Sequence, residues 1–362
     1  MSAPCSAQPD RSRGHSRMRR SRRFAGLSAL IAVALLAAAC GGNTGDSKGS
    51  SSDVPLVYGV FATPLEEPWD GAIHTALKAA DADGDIVYKY TDNNDSPDKM
   101  TRTLRDLIAN EEPDIIFGDA FAAEDAVREV AADSEDTTFV FGSGEKPAGP
   151  NLSTFDNWMQ DPAYLAGMLS GGMTTSNVIG VVAALPIPEV NRIVNAYIEG
   201  VKETNPQATV KVTFINSFFD PTTAKQAALA QVSQGADILF AERAGVIEAA
   251  VEKDLPVIGM MVDQKEEAPE NVVTSLVWNM RPTIDHVVDK VKAGSLPSTD
   301  LAEFSFMKHD GSSLAPINTD VPGGVPDELL QQIDDKKAAI LDGSFETPVD
   351  EDAPAGSTTV GE

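Results

Sequence analysis

The sequence predicts an α/β protein built as two similar parallel-sheet lobes with a ligand cleft between them, and three observations predict it. Short apolar runs alternate along the chain with stretches of helical periodicity, as strands buried on both faces and the helices covering them do. The phrase Glu-Pro-Asp-Ile-Ile-Phe at 112–117 returns as Gly-Ala-Asp-Ile-Leu-Phe at 235–240, at comparable points of two successive series. A length of 362 residues, 42% of them apolar and 23% charged, is enough for two ordinary cores.

The first series opens with the short apolar run at 56–61, read as a strand, followed by a helix over 69–82 and a strand at 86–90. Pro97 suits the first turn of a helix over 97–109, where its missing donor costs nothing, and Leu104, Leu107 and Ile108 share one face of it. Strand 114–117, helix 122–131 and strand 137–141 complete the series. A second begins after Asp161, Pro162 and Ala163: Tyr164, Leu165, Met168 and Leu169 form a helical stripe that Gly171 and Gly172 are expected to end. Strands at 178–183, 209–215, 237–240 and 256–260 then alternate with helices over 188–202, 222–233 and 246–252. Strand 272–277 and helix 281–291 are expected to cross back. The first lobe thus takes 55–158 and about 278–310, and the second takes 159–277 with the hinge crossings.

Both ends read differently from this body. Arg17, Arg19, Arg20, Arg22 and Arg23 precede an uncharged stretch at 24–39, the length of a secretory apolar region and shorter than a membrane span. Leu-Leu-Ala-Ala-Ala-Cys-Gly-Gly at 35–42 resembles a bacterial lipoprotein signal, so 1–39 is expected to be a signal peptide, with Met18 an alternative start, and Cys40 the lipidated residue. Cys5 would leave with the leader, so no internal disulfide is expected. Residues 40–54 read as a flexible tether and 343–362 as an acidic mobile tail. Seven of the 28 basic residues but only one of the 55 acids lie in the first 39 positions, which leaves the remainder at a formal −33. No dense Lys/Arg run interrupts that acidity, which argues against nucleic acid as a partner. The same acidity serves solubility or salt tolerance as readily as any partner.

In two-lobed α/β proteins ligands sit where the C-terminal ends of strands and their loops converge, so the loops supply the candidate site. Trp69, at a helix start, offers a flat face to a heteroaromatic ring or wedges helix against sheet, and Glu66 or Glu67 beside it accepts hydrogen bonds. His74 reads as a helix-surface or core-edge residue. Asp119 is a helix cap or a ligand contact, and Phe121 packs or stacks. Ser143 and Gly144 follow the fourth strand with possible backbone donors. Asn157 and Trp158 are hinge-side candidates, Asp220 is a cap, and Phe219 faces the cleft. Glu242 with Arg243, and Asp263 with Gln264, join a polar network around the ligand or bridge loops. Glu189 reads mostly as architecture at a helix N-terminus. Asn191 and Asn195 share a face toward a ligand, the other lobe or a neighbouring helix.

Several of these phrases together carry a resemblance: Glu-Glu-Pro-Trp-Asp-Gly-Ala-Ile-His at 66–74, Asp-Pro-Ala-Tyr-Leu-Ala-Gly at 161–167, Pro-Ile-Pro-Glu-Val-Asn-Arg at 186–192, Phe-Asp-Pro at 219–221 and Val-Trp-Asn at 277–279. Over residues 55–293 the chain resembles the basic membrane protein family of ABC-transporter substrate-binding lipoproteins, in its purine-binding-like branch. The resemblance implies a type I periplasmic-binding-protein-like fold and a monomeric receptor, anchored outside the cell membrane through Cys40. Such a receptor captures a purine base or nucleoside and delivers it to an ABC permease without cofactor or metal. It also implies that Trp69, Phe121, Phe219 and Asp263 occupy ligand-facing positions. The loop at 64–69 departs from the Asp-Gly-Ser-Phe-Asn-like loop of the nucleoside receptors, which leaves base against nucleoside open.

An extracellular hydrolase and a ligand-sensing surface lipoprotein are the alternatives. Against the first, the chain contains no His-Glu-x-x-His, Gly-x-Ser-x-Gly or Walker sequence.

Overall fold

The computed structural model describes residues 54–361 apart from positions 122 and 296. The expected signal peptide at 1–39, lipidated Cys40 and most of the tether lie outside the described residues. Among the described residues no helix is long and apolar enough to cross a membrane.

The first lobe is a five-stranded parallel sheet in the order β2-β1-β3-β4-β5, formed by β1 (Leu56–Val60), β2 (Val87–Thr91), β3 (Ile115–Asp119), β4 (Thr138–Gly142) and β5 (Leu152–Phe155). β3, β4 and β5 are buried along their whole length, as strands covered on both faces must be. Helix α1 (Pro68–Ala82) buries Ile73 and Leu77 in a core with Val57, Ile115 and Phe117. On the opposite face α2 (Pro97–Glu111) and α3 (Glu124–Ala132) pack Met100, Leu104 and Val127 against Phe139 and Phe141.

The second lobe repeats this winding with β6 (Val178–Ala183), β7 (Thr209–Phe214), β8 (Ile238–Ala241), β9 (Val257–Gly259) and β10 (Val272–Trp278), in the order β10-β9-β8-β6-β7. Its helices are α4 (Gln160–Met173), α5 (Pro188–Thr204), α6 (Pro221–Ser233) and α7 (Val246–Lys253). Proline opens α1, α2, α5 and α6, where no intrahelical donor is needed. Helix α8 (Arg281–Lys292) returns to the first lobe, where Arg281 Nη1 donates to Asp83 just after α1 at 2.6 Å.

Gly171 and Gly172 stand in the last turn of α4, which ends at Met173, and they share a packing role with Gly167. A Cβ at Gly167 would come within 2.0 Å of the Tyr197 carbonyl, and one at Gly171 within 2.6 Å of the Val201 carbonyl, so these glycines let α5 lie backbone to backbone against α4. The segment at 343–362, expected to be mobile, instead folds back across the second lobe. After β11 (Ser312–Leu314), antiparallel to β10, and α9 (Asp327–Asp342), the chain runs to β12 (Thr358–Thr359), which pairs in parallel with β7. On the way, the carbonyls of Asp350, Glu351 and Asp352 accept hydrogen bonds from Asn195 and Asn191. Polar composition predicts little buried side-chain area, but an open sheet edge supplies backbone partners that composition does not count.

Candidate functional site

A cavity of about 230 Å³ lies between the lobes, and loops at strand C-terminal ends build it. Ala62 and Thr63 follow β1, Asp119 ends β3 with Phe121 just beyond, and Ser143 follows β4. From the second lobe come Ile187 and Glu189 after β6, Phe218 after β7 and Arg243 after β8. This is where a doubly wound sheet leaves its crevice.

The aromatic wall begins with Trp69. Its indole stacks on Phe155 at 5.8 Å with 9° between the planes, tilts against Trp278 at 5.1 Å, and lies over Gly142, where a Cβ would meet it at 2.1 Å. Trp69 therefore both wedges α1 against the sheet and borders the cavity. Phe121, 46% exposed, meets Phe218 of the other lobe edge to face at 4.8 Å.

The polar wall is built on Glu67. Because Pro68 holds the first helical position, Glu67 caps α1, and its Oε2 accepts from the amides of Trp69 at 2.9 Å and Asp70 at 3.0 Å. Its Oε1 receives Arg243 Nη1 at 3.1 Å from the opposite lobe. Arg243 also donates through Nη2 to Glu242 Oε1 at 2.6 Å and through Nε to Glu242 Oε2 at 2.9 Å, and that Oε2 in turn accepts from the Ala184 amide at 2.9 Å. Glu67 and Glu242 are 2% exposed and Arg243 is 4% exposed, so the ion pair joining the lobes is dry. Burial pushes both glutamates upward while Arg243 draws them down. Burial alone would lower Arg243, but Glu242 and Glu67 hold it above its ordinary range.

Two further carboxyl groups face the cavity without such a partner. Asp119 accepts from the Phe121 amide at 2.9 Å rather than capping α3, whose N-cap Ala123 has no side-chain bond. Burial pushes it up to about 7, with Glu67 and Asp156 adding to the rise. Glu189, on the first turn of α5, is pushed up to about 8 by burial and by the charges of Asp156 and Glu242. Its Oε1 is buried and meets no hydrogen-bond partner among the described residues. Behind them Asp70 accepts from the Thr63 amide at 2.9 Å and hydroxyl at 2.6 Å, and burial together with Asp119 and Glu67 raises it well above the carboxylate range.

Of the residues singled out in the sequence, Glu67, Trp69, Asp119, Phe121, Ser143, Glu189 and Arg243 line this cavity. Glu242 stands behind Arg243 and borders a second interlobe cavity of about 310 Å³, which is also lined by the exposed Glu66 and the half-buried His74 and Gln264. Phe219, 39% exposed, lies outside both linings, and Phe218 takes the cleft position. Asn157 is buried with Nδ2 4.0 Å from Met261 Sδ, and Trp158 covers Arg192, whose guanidinium carbon is 4.1 Å from the ring centroid. Asp263 is exposed and accepts only from the Lys265 amide, at 3.0 Å, among the described residues. Among the lining residues, sequence reasoning passes over Phe218, reads Glu189 mostly as architecture and names Glu67 only as one of two adjacent acceptors. For Glu67 a signal existed, because the residue before a first-turn proline is the cap and turns inward.

Comparison with known proteins adds three findings. Residues 63–343 match the family model described as ABC transporter substrate-binding protein PnrA-like. Among curated proteins the chain is 31% identical over 254 residues to the "Putative ABC transporter glucose-binding protein TsgA13" of Haloferax volcanii, covering 69% of this chain. It is 27% identical over 236 residues to a purine-binding protein of Brucella abortus, covering 64% of this chain. Each match spans 64% of the relative's own length. Among solved structures, an ABC transporter solute-binding protein from Conexibacter woesei superposes with a TM-score of 0.67 at 22% identity, over 82% of this chain and 99% of that one. At that identity the likeness speaks for the fold alone.

Proposed function

The chain belongs to the PnrA-like family of ABC transporter substrate-binding proteins, and on that premise we propose that it captures a purine base or nucleoside-like solute by lobe closure and delivers it unchanged to a permease. One observation carries this reading: the interlobe cavity is lined by the rings of Trp69, Phe121 and Phe218 together with the carboxyl groups of Asp119 and Glu189. A planar heterocycle with amino and ring N–H donors satisfies both walls at once. The purine-binding name of the Brucella relative supports the same class.

Closure follows from where the groups sit. Glu67 belongs to the first lobe and Arg243 to the second, so a ligand touching both walls binds the closed form better than either lobe alone. Only that difference in affinity moves the population. In the same reading, lipidation at Cys40 holds the receptor at the outer face of the membrane, and it works as a monomer.

Calorimetry of the purified protein against purine bases, nucleosides and D-glucose tests the proposal, with mass spectrometry of the recovered ligand. Purine binding with the ligand returned intact is expected. The glucose-binding name of the haloarchaeal relative supports a competing sugar reading. Glucose binding without purine binding overturns the proposal, as does steady conversion of a bound purine.

A further inference from the structure

We infer that the solute taken by this cavity is an organic cation, a positively charged nitrogen heterocycle of the purine class rather than a neutral one, an inference that rests on reading the cavity as the solute site. Four carboxyl side chains reach the lining: Glu67, Asp95, Asp119 and Glu189. Arg243 is the one basic side chain among the lining residues, and it is committed to Glu67 and Glu242. The neighbouring cations are engaged too. Arg192 pairs with Asp156 at 2.6 Å and with Glu351 at 3.2 Å, and Lys99 lies 3.8 Å from Asp95. Asp119 and Glu189 therefore line the cavity from opposite lobes with no ion pair of their own among the described residues, the nearby Arg192 and Arg243 being paired with other carboxylates.

An ionised carboxyl group buried without a counter-charge is costly, so such a group keeps its proton until something brought from outside supplies the charge. The three aromatic rings narrow what that can be. An aromatic face attracts a cation through its quadrupole, and rings combined with carboxylates form the usual cage for a quaternised or protonated nitrogen. Among the described residues no group of three His, Cys, Asp or Glu converges to hold a metal ion, so the aromatic walls and the carboxyl groups together point to an organic cation. The same carboxyl groups repel a phosphate ester.

Two isomeric nucleosides separate charge from shape, since 1-methyladenosine is cationic at neutral pH and N6-methyladenosine is not. Calorimetry of the full chain with both, with adenosine 5′-monophosphate and with the unrelated cation 1-methylnicotinamide is the test. The expected result is binding of 1-methyladenosine at least about tenfold tighter than of its neutral isomer, with the monophosphate weakest. Glu189→Gln is expected to erase most of that preference while leaving the thermal midpoint of the free protein unchanged or higher. Equal or tighter binding of N6-methyladenosine overturns the inference and leaves the purine reading standing. Binding of 1-methylnicotinamide with neither nucleoside keeps the charge assignment and overturns the purine reading. Binding of none of the four overturns both.

Discussion

Arg243 connects more of the cleft than any other side chain described above, because its guanidinium satisfies one carboxylate from each lobe in a dry site. Replacing it strands both glutamates. Arg243→Gln is expected to cost about 3 kcal/mol or more in urea unfolding and to weaken solute binding, since breaking a buried pair leaves an uncompensated charge. The cavity acids set a pH dependence of opposite origin. Asp119 and Glu189 titrate near 7 and 8 in the folded protein but in the ordinary carboxylate range when unfolded, so the folded state holds more protons between those limits. Their contribution to stability therefore falls as pH rises from about 4 to about 8 and is level beyond. Asp70, Glu67, Asp156 and Glu242 reinforce the effect, while Arg192 and Arg243 oppose it at Glu189. The double variant Asp119→Asn, Glu189→Gln is expected to gain on the parent protein in urea midpoint between pH 5 and pH 8. A constant difference across that range would count against the assignment. At this scale the sequence reads one residue off at Phe219 for Phe218 and leaves Glu66 and Glu67 undivided. Composition names the loop, but the local backbone decides which of two adjacent side chains turns inward.

Among the elements, the α4–α5 pair shows what a helix periodicity leaves out. Tyr164, Leu165, Met168 and Leu169 announce an apolar stripe, whereas Gly167 and Gly200 set how near the partner helix comes. A Cβ at Gly200 would stand 2.0 Å from the Tyr164 carbonyl, which is backbone and cannot swing aside. Gly200→Ala is therefore expected to cost about 2 kcal/mol in urea unfolding, although alanine is the better helix former. The closing strand makes a second case. β12 covers the edge of β7, and the Val360 amide donates to the Phe214 carbonyl at 2.9 Å. Removing 343–362 is expected to lower the thermal midpoint and to raise amide exchange across β7. Retention of both values would mean that the segment adds nothing to the lobe. Most strands and helices before residue 293 were legible because short continuous apolar runs alternate there with stretches of 3.6-residue periodicity. β11, α9 and β12 were not, since their partners lie on elements far away in sequence.

For the whole molecule, the two lobes share one winding order and meet at the cavity, with the Glu67–Arg243 pair spanning them. If ligand capture is lobe closure, X-ray scattering should show a smaller radius of gyration with saturating ligand than without it. An unchanged radius together with tight binding would indicate a cleft already closed. The alternation of apolar runs and helical stretches and the repeated phrase leading into β3 and β8 were enough to determine two parallel α/β lobes and the loops that meet between them. Those signals are local, and parallel strands joined by crossover helices admit few arrangements. Only the tertiary structure decided which loop side chains face the cavity, that Arg243 is spent on Glu67 and Glu242, and that the acidic C-terminal segment is a docked strand. Each of these depends on what another part of the chain presents across a few ångströms, where desolvation and partner geometry outweigh any preference a residue carries in its own sequence.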